Sequence, residues 1–495
     1  MSQMAVVQLI KSLSKVEKRN FKLSAKKQAG NKDYLALFDI IDQSSLIDAA
    51  LIKGKFKRLQ PESSVDNTSR YLLKVLTDCL VQSKIKEDNL FQLVYGYLRV
   101  NILHERSLQE EAYKELKKLQ PIAVSSQNLF MQYLMYRLEL NYISDSNFFG
   151  LSEKALIEIQ MKNRDLLKGL QNVNEHYSLY ELLKYRLVHS GKTLSEEGKK
   201  QLNDLLLSEL GLITGRLKNN LEAQKQHLLF QSFFLINIGD YTSALKTFSE
   251  LNRLFENNLS IWSHPPLDYL SSLDGILDSL RTVGYFKEMP FYINKMEQLD
   301  KQQYPEYFRF IVKKNIIIYE LAILIGTEMF TEAIDYIQKI DASLLSSQNM
   351  VAYEKHSELL FCIGLIYYRV KDFKKAHKYI NEIVLIGKLN YQSVIYKAAR
   401  LLGIIMHYEA NNHVYLDYEI RSYKRTFQNK GKLLKTEKII FKIVKLHPNL
   451  NTLTRNKVLL NKIAPDIINI GKDKFEMQLL KYFNFINWVK SKMEN

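Results

Sequence analysis

Four aromatic residues, Tyr241, Phe286, Phe330 and Phe373, follow one another at intervals of 45, 44 and 43 residues. Each opens an amphipathic stretch just after a break in the preceding apolar run. The clearest instance is NIGDYTSALKTF, residues 237–248. Gly239 suits the left-handed residue that ends a helix, and the Asp240 carboxylate suits a free backbone N–H at the start of the next. Tyr241 would close over the hinge, while Ser232 and Ala244 are small enough to let two helices approach. A local αα-hairpin recurring at an even period predicts a stacked helical array.

The 228–248 stretch carries Leu228, Ser232, Leu235, Gly239, Asp240, Tyr241, Ala244 and Phe248 at the spacings of a tetratricopeptide (TPR) unit, and it resembles that family. In ELLFCIGLIYYRVKDFKKAHKYI, Leu360, Gly364, Tyr367, Asp372, Phe373 and Ala376 fall at the same offsets, with Lys371 where the glycine stood. Degenerate versions carry Gly284 with Phe286, and Phe330 with Ala333. Less regular hinges are expected near Leu108, Phe149, Ser195 and Val414, giving eight hairpins between about residues 87 and 430. The period of about 44 exceeds the TPR length of about 34, so helices of roughly 16 to 18 residues, about 25 Å long, are predicted.

The resemblance implies an all-α, right-handed TPR-like superhelix between helical caps. The expected domains are a basic cap at 1–86, the repeats at 87–430 and a second basic cap at 431–495. In the family the ligand-facing positions lie on the first helix of each pair. Carried onto this chain they are Gln226, Asn237, Asp274, Asp278, Arg281, Asn315, Glu358, Tyr368 and Arg369. The implied function is non-enzymatic, the binding of a protein or peptide partner on a concave face. Asp274, Asp278 and Arg281 share one helix face, and their joint replacement by alanine is expected to impair a partner and to leave melting nearly unchanged.

Composition supports the helical class. Only 18 Gly and 8 Pro occur in 495 residues, far below the average of roughly 7 and 5 per cent, which disfavours turn-rich β structure. The 46% hydrophobic content suffices for a continuous core. No stretch of 18 apolar residues lacks a charge; NIIIYELAILIG is interrupted by Glu320, so no membrane span is expected. MSQMAVVQLIKSLSK does not read as a secretory signal, and a cytoplasmic location is expected. Cys79 and Cys362 read as small buried hydrophobes rather than a disulfide.

Recognisable chemistry is scarce. HSGKTLSEE ends like a phosphate-binding loop, but Arg186 stands where its first glycine should be and a helical pattern precedes it. Gly191 then reads as a helix stop, with Thr193 or Ser195 capping the next helix. The ten histidines include no HExxH and no pair at i, i+4, and His407 and His413 straddle a hinge. No catalytic, cofactor-binding or metal-ligating residues are expected.

The net charge of +17 is carried by the ends: +7 over residues 1–60, +12 over 420–495 and −2 between them. LSKVEKRNFKLSAKK places Ser14 and Glu17 in capping-box spacing before a run of lysines. It resembles the openings of some uncharacterised bacterial helical-repeat proteins. Such a helix can cap an array or contact phosphates, so a regulator whose basic N-terminal helices bind nucleic acid while the repeats sense a ligand is the alternative function. IDAALIKGKFKRLQ could be squeezed into a helix-turn-helix only with a turn badly placed at Gly54. DKFEMQLLKYFNFINWVKSKM is predicted to be one basic amphipathic helix, serving as a cap or lying on an anionic membrane.

Overall fold

The computed structural model describes residues 2–27, 33–44, 49–190, 196–212, 220–302, 304–345, 352–387, 393–427, 433–445, 467, 469–471 and 473–494. Among these residues every regular element is a helix and there is no strand. The predicted length of 16 to 18 residues matches many of them. Asn89–Glu105, Gln109–Ser125, Leu129–Asp145, Leu221–Asn237, Tyr241–Asn257, Leu267–Val283 and Tyr353–Arg369 each have 17 residues.

Their ends are set by local chemistry. Asp88, Asn128, Asn220, Asp240 and Asp372 accept backbone N–H groups at the start of the following helix. Two residues before each hinge position the chain turns left-handed: Gly239, Gly284, Glu328, Lys371 and Asn411 have φ of 82°, 89°, 60°, 64° and 54°. The next N–H then closes on the carbonyl five residues back. Asp240 donates to Leu235, Tyr285 to Leu280, Met329 to Leu324, Asp372 to Tyr367 and Asn412 to His407, all at 2.9–3.0 Å. Lys371 therefore adopts the backbone conformation of the glycine it replaces. Ser107 and Gln127 do the same between the helices of residues 89–145.

Small residues set the packing of successive helices. A Cβ on Gly275 would lie 2.3 Å from the Phe248 ring, one on Gly326 2.2 Å from the Phe286 ring, and one on Gly364 2.8 Å from Ile380. Ser232, Ala244, Ala333 and Ala376 are fully buried. Ala244→Trp and Gly364→Trp are each expected to cost about 1–3 kcal/mol through overpacking. Thermal melts showing both variants equal to the parent would refute the proposed helix contacts.

The chain divides into two compact units, one of Met1–Asn172 with Tyr304–Phe308 and one of Val173–Gln303 with Arg309–Asn495. The expected boundaries at 86/87 and 430/431 both fall inside a unit. In the first unit, Val6, Ile10, Phe21, Phe38, Phe56 and Leu72 belong to one core, and Leu93, Leu116, Leu119 and Met135 to another. In the second, a large core built on the helices from 317 to 444 takes in Leu479, Phe483, Phe485, Trp488 and Val489.

Gly54 sits inside the helix Ala49–Leu59, in keeping with the rejection of a helix-turn-helix there. Two local expectations are corrected. Near Phe149 a 38-residue helix, Glu153–Ser190, stands where a helix of about 17 was expected. The stretch from 473 is two helices, Lys474–Leu480 and Phe485–Glu494, rather than one. The break has a local cause, because Asn484 Oδ1 accepts the Asn487 N–H at 3.0 Å and starts the second helix. Gly191, Thr193 and Ser195 lie outside the described residues. Among the described residues no helix is long and apolar enough to cross a membrane.

A candidate functional site beneath residues 473–494

Within the second unit, three helices present charges to one another. Leu267–Val283 supplies Asp274, Asp278 and Arg281, helix Glu306–Gly326 supplies Tyr319, and Tyr353–Arg369 supplies Lys355 and Glu358. Arg281 bonds Asp278 one turn away and reaches Glu358 Oε1 at 2.6 Å. Lys355 bonds Asp274 and lies 3.3 Å from Glu358 Oε2. The Tyr319 hydroxyl donates to Asp274 Oδ1 at 2.6 Å. Lys481 closes the set, with its ammonium 3.0 Å from Asp278 Oδ2.

Three cations thus meet three carboxylates, and most of the six side chains are withdrawn from water. Those of Arg281, Glu358 and Lys481 are 8%, 7% and 5% exposed. Burial alone would raise the Glu358 carboxyl, but Lys355 and Arg281 overcome it and hold the group down at about 2. For Lys481, burial opposes the charged form, and the facing Asp278 overrides it and raises the ammonium above its ordinary range. Burial pushes the Cys362 thiol beside this cluster up to about 12, so it is inert rather than nucleophilic. The charges are matched, three against three.

Lys481 belongs to a segment seated along this face. A Cβ on Gly239 would fall 1.8 Å from the Lys474 carbonyl oxygen, so only glycine permits that backbone approach. Lys474 pairs with Asp240, and Gln478 Nε2 donates to the Asn237 carbonyl at 2.8 Å. Beyond Lys481, Tyr482 meets the Phe361 ring edge-on at 5.8 Å, and Phe483 meets Tyr368 at 6.0 Å with Arg369 also over its ring. Trp488 Nε1 donates to Glu409 Oε1 at 2.8 Å, and Lys492 pairs with the same carboxylate at 3.0 Å. Glu476 accepts the Lys435 and Thr436 N–H groups at the start of the helix Lys435–Val444.

The nine residues expected on a partner face are placed as follows. Asn237, Asp278, Tyr368 and Arg369 touch the 473–494 segment, and Glu358 and Arg281 join it through the charge network. Asp274 is held by Lys355 and Tyr319. Gln226 is buried against Glu222, away from the segment, and Asn315 is buried. Of the nine, Arg369 alone is exposed. Burial and pairing of Asp278 and Arg281 reverse the expectation that the triple alanine change leaves melting unchanged: it is now expected to lower stability.

Lys355, Tyr319, Glu409, Lys474, Gln478 and Lys481 were missed. The i, i+3 spacing of Lys355 and Glu358 was visible, but Tyr319 hides in an apolar run, and partners more than 200 residues apart leave no local signal. His407 lies 3.3 Å from His377. Cys79 and Cys362 are both free.

In the first unit the Ser14/Glu17 capping box forms, with bonds of 2.7 and 3.2 Å. Lys18 and Lys22 are drawn onto Asp42 and Asp39 at 2.9 and 2.8 Å, neutralising part of the basic helix. Binding of duplex DNA by this end is expected to be weak, sequence-independent and lost between about 50 and 200 mM salt. Nanomolar, sequence-selective binding that survives the higher salt would instead support a regulator. The chain matches no family model, no curated protein and no solved structure.

Proposed function

We propose that the protein is a non-enzymatic, TPR-like helical-repeat scaffold whose concave face receives a lysine-bearing amphipathic helix of a partner protein. The right-handed superhelix is part of this proposal, and the left-handed residue that recurs before five hinges supports its repeating helical hairpin. One observation carries the binding mode. Residues 474–492 lie on the face with Lys474 on Asp240, Gln478 on Asn237, Lys481 on Asp278 and aromatic rings between Phe361 and Tyr368. The segment shows the chemistry the face accepts: cations over carboxylates, flanked by aromatic anchors. A partner helix of the same character would compete with it.

A synthetic peptide of residues 473–492 provides the test. In the full chain, Lys474→Glu with Lys481→Glu sets like charges against Asp240, Asp278 and Glu358 and releases the segment. The peptide is expected to bind this variant and to bind the wild type at least about tenfold more weakly, because its site is filled. A peptide with the same composition in scrambled order should bind neither. If the variant is helical by circular dichroism and still ignores the peptide, the face is not a helix-binding site.

A further inference from the structure

A second cluster lies in the same unit, away from the charged face. His176 comes from the helix Glu153–Ser190, Glu209 from Asn203–Leu212 and His227 from Leu221–Asn237. One ligand atom from each lies within 4.8 Å of the others. His176 and Glu209 are 0% exposed, and the His227 side chain is 16% exposed. His227 Nδ1 contacts Glu209 Oε1, the one ion-pair contact Glu209 makes among the described residues. Among the described residues, both ring nitrogens of His176 and Oε2 of Glu209 have no hydrogen-bond partner.

Buried polar atoms are almost always paired, and an unpaired imidazole and an unpaired carboxylate oxygen beside a second imidazole require a reason. A proton can serve only one of them. A cation can bond a lone pair from each of the three residues at once. Two imidazole nitrogens and one carboxylate oxygen form the ligand set of a divalent transition-metal ion. Calcium and magnesium prefer all-oxygen shells, and copper(I) prefers sulfur. Zinc takes such ligands at about 2.0–2.2 Å, which puts them about 3.4 Å apart in a tetrahedron, so His227 Nδ1 and Glu209 Oε1 would move apart while wider separations close.

We propose that His176, Glu209 and His227 bind one divalent transition-metal ion, zinc by ligand chemistry, which ties three helices together. Three protein ligands leave a fourth position for water or an outside donor, reached from the partly exposed His227 side. The residues are 33 and 18 apart in sequence and lie on three different helices, so no ligand-spacing motif announces them. The site is independent of the peptide-binding proposal and shares no residue with it.

The test uses the full chain, stripped with a chelator and titrated with Zn²⁺ alone. One equivalent is expected to bind at micromolar concentration or tighter, and the melting temperature should rise with added zinc. Co²⁺ in place of zinc should give the intense visible absorption of a four-coordinate site. His227→Gln removes the least buried ligand and should weaken zinc binding by about tenfold or more. The proposal fails if the stripped wild type takes up no zinc at micromolar concentrations, or if folded His227→Gln binds it as tightly as the wild type. Should that variant fail to fold, the cobalt spectrum of the wild type decides: the weak bands of a six-coordinate ion would overturn the site.

Discussion

Glu358→Ala is expected to destabilise the protein by about 3–5 kcal/mol, the range for breaking a buried ion pair from one side. The change strips Arg281 and Lys355 of a shared carboxylate while both remain largely enclosed. A surface control, Lys114→Ala, should leave stability nearly unchanged, because its 2.7 Å contact with Glu111 is between exposed side chains. Urea denaturation at neutral pH measures both. The same network sets a pH dependence with a defined sign. The folded-state value of Glu358 lies near 2, below its ordinary 4.5, so its stabilisation is complete above pH 4.5 and disappears as the pH falls towards 2. Glu358→Gln should flatten that acid limb. A loss below about 1 kcal/mol for the alanine variant would show that the network is exposed or replaceable.

Lys314→Met should act in the opposite direction and stabilise the protein by about 1–2 kcal/mol at pH 7, the gain from removing a buried charge less the cost of leaving His356 Nδ1 without its donor. Lys314 is 1% exposed, has no carboxylate partner among the described residues, and meets Nδ1 of His356 at 2.8 Å. Burial lowers its ammonium from 10.5 to about 8, and burial together with Lys314 lowers His356 to about 4. An ammonium that titrates lower in the folded state makes the unfolded chain bind more protons between pH 8 and 10.5. Wild-type stability should therefore rise across that window and be most penalised below it. Methionine fills a similar volume without the charge. Equal stabilities for the two proteins at pH 7, or a variant that keeps the alkaline rise, would sink this assignment.

The helical class was legible because its determinants are local. Asp240 and Asp372 cap helices from within three residues, and the aromatic hinges mark the period directly. Lys371 shows the limit of that grammar: sequence marks a glycine as a turn, while a lysine turns the same way once the surrounding hydrogen bonds demand it. Candidate positions on the first helices came from the resemblance to the TPR pattern, which carries no information on their burial. What covers Asn237 and Asp278 comes from residues 241 and 203 positions away, and complementarity between Lys481 and Asp278 has no periodic signature. The break at Asn484 was readable in principle as an N-cap and was overlooked in favour of the longer apolar stripe. His176, Glu209 and His227 were invisible for the same reason as Lys481: three helices, rather than one, set their geometry.

The long span between the charged face and its cover also bears on biosynthesis. Asn237 and Gln478 are 241 residues apart, so at about 5–20 residues per second the ribosome finishes the first helix of the face roughly 10 to 50 seconds before its seated segment is made. During that interval Asp278 and the aromatic surface of Phe361 and Tyr368 must be carried without Lys481, Tyr482 and Phe483. Nascent chains are then sticky at a defined place and for a defined time, and a product truncated before residue 473 keeps that surface bare. Residues 473–494 thus cover the face only once they are made, and until then Asp278, Phe361 and Tyr368 lack the groups that pair with them.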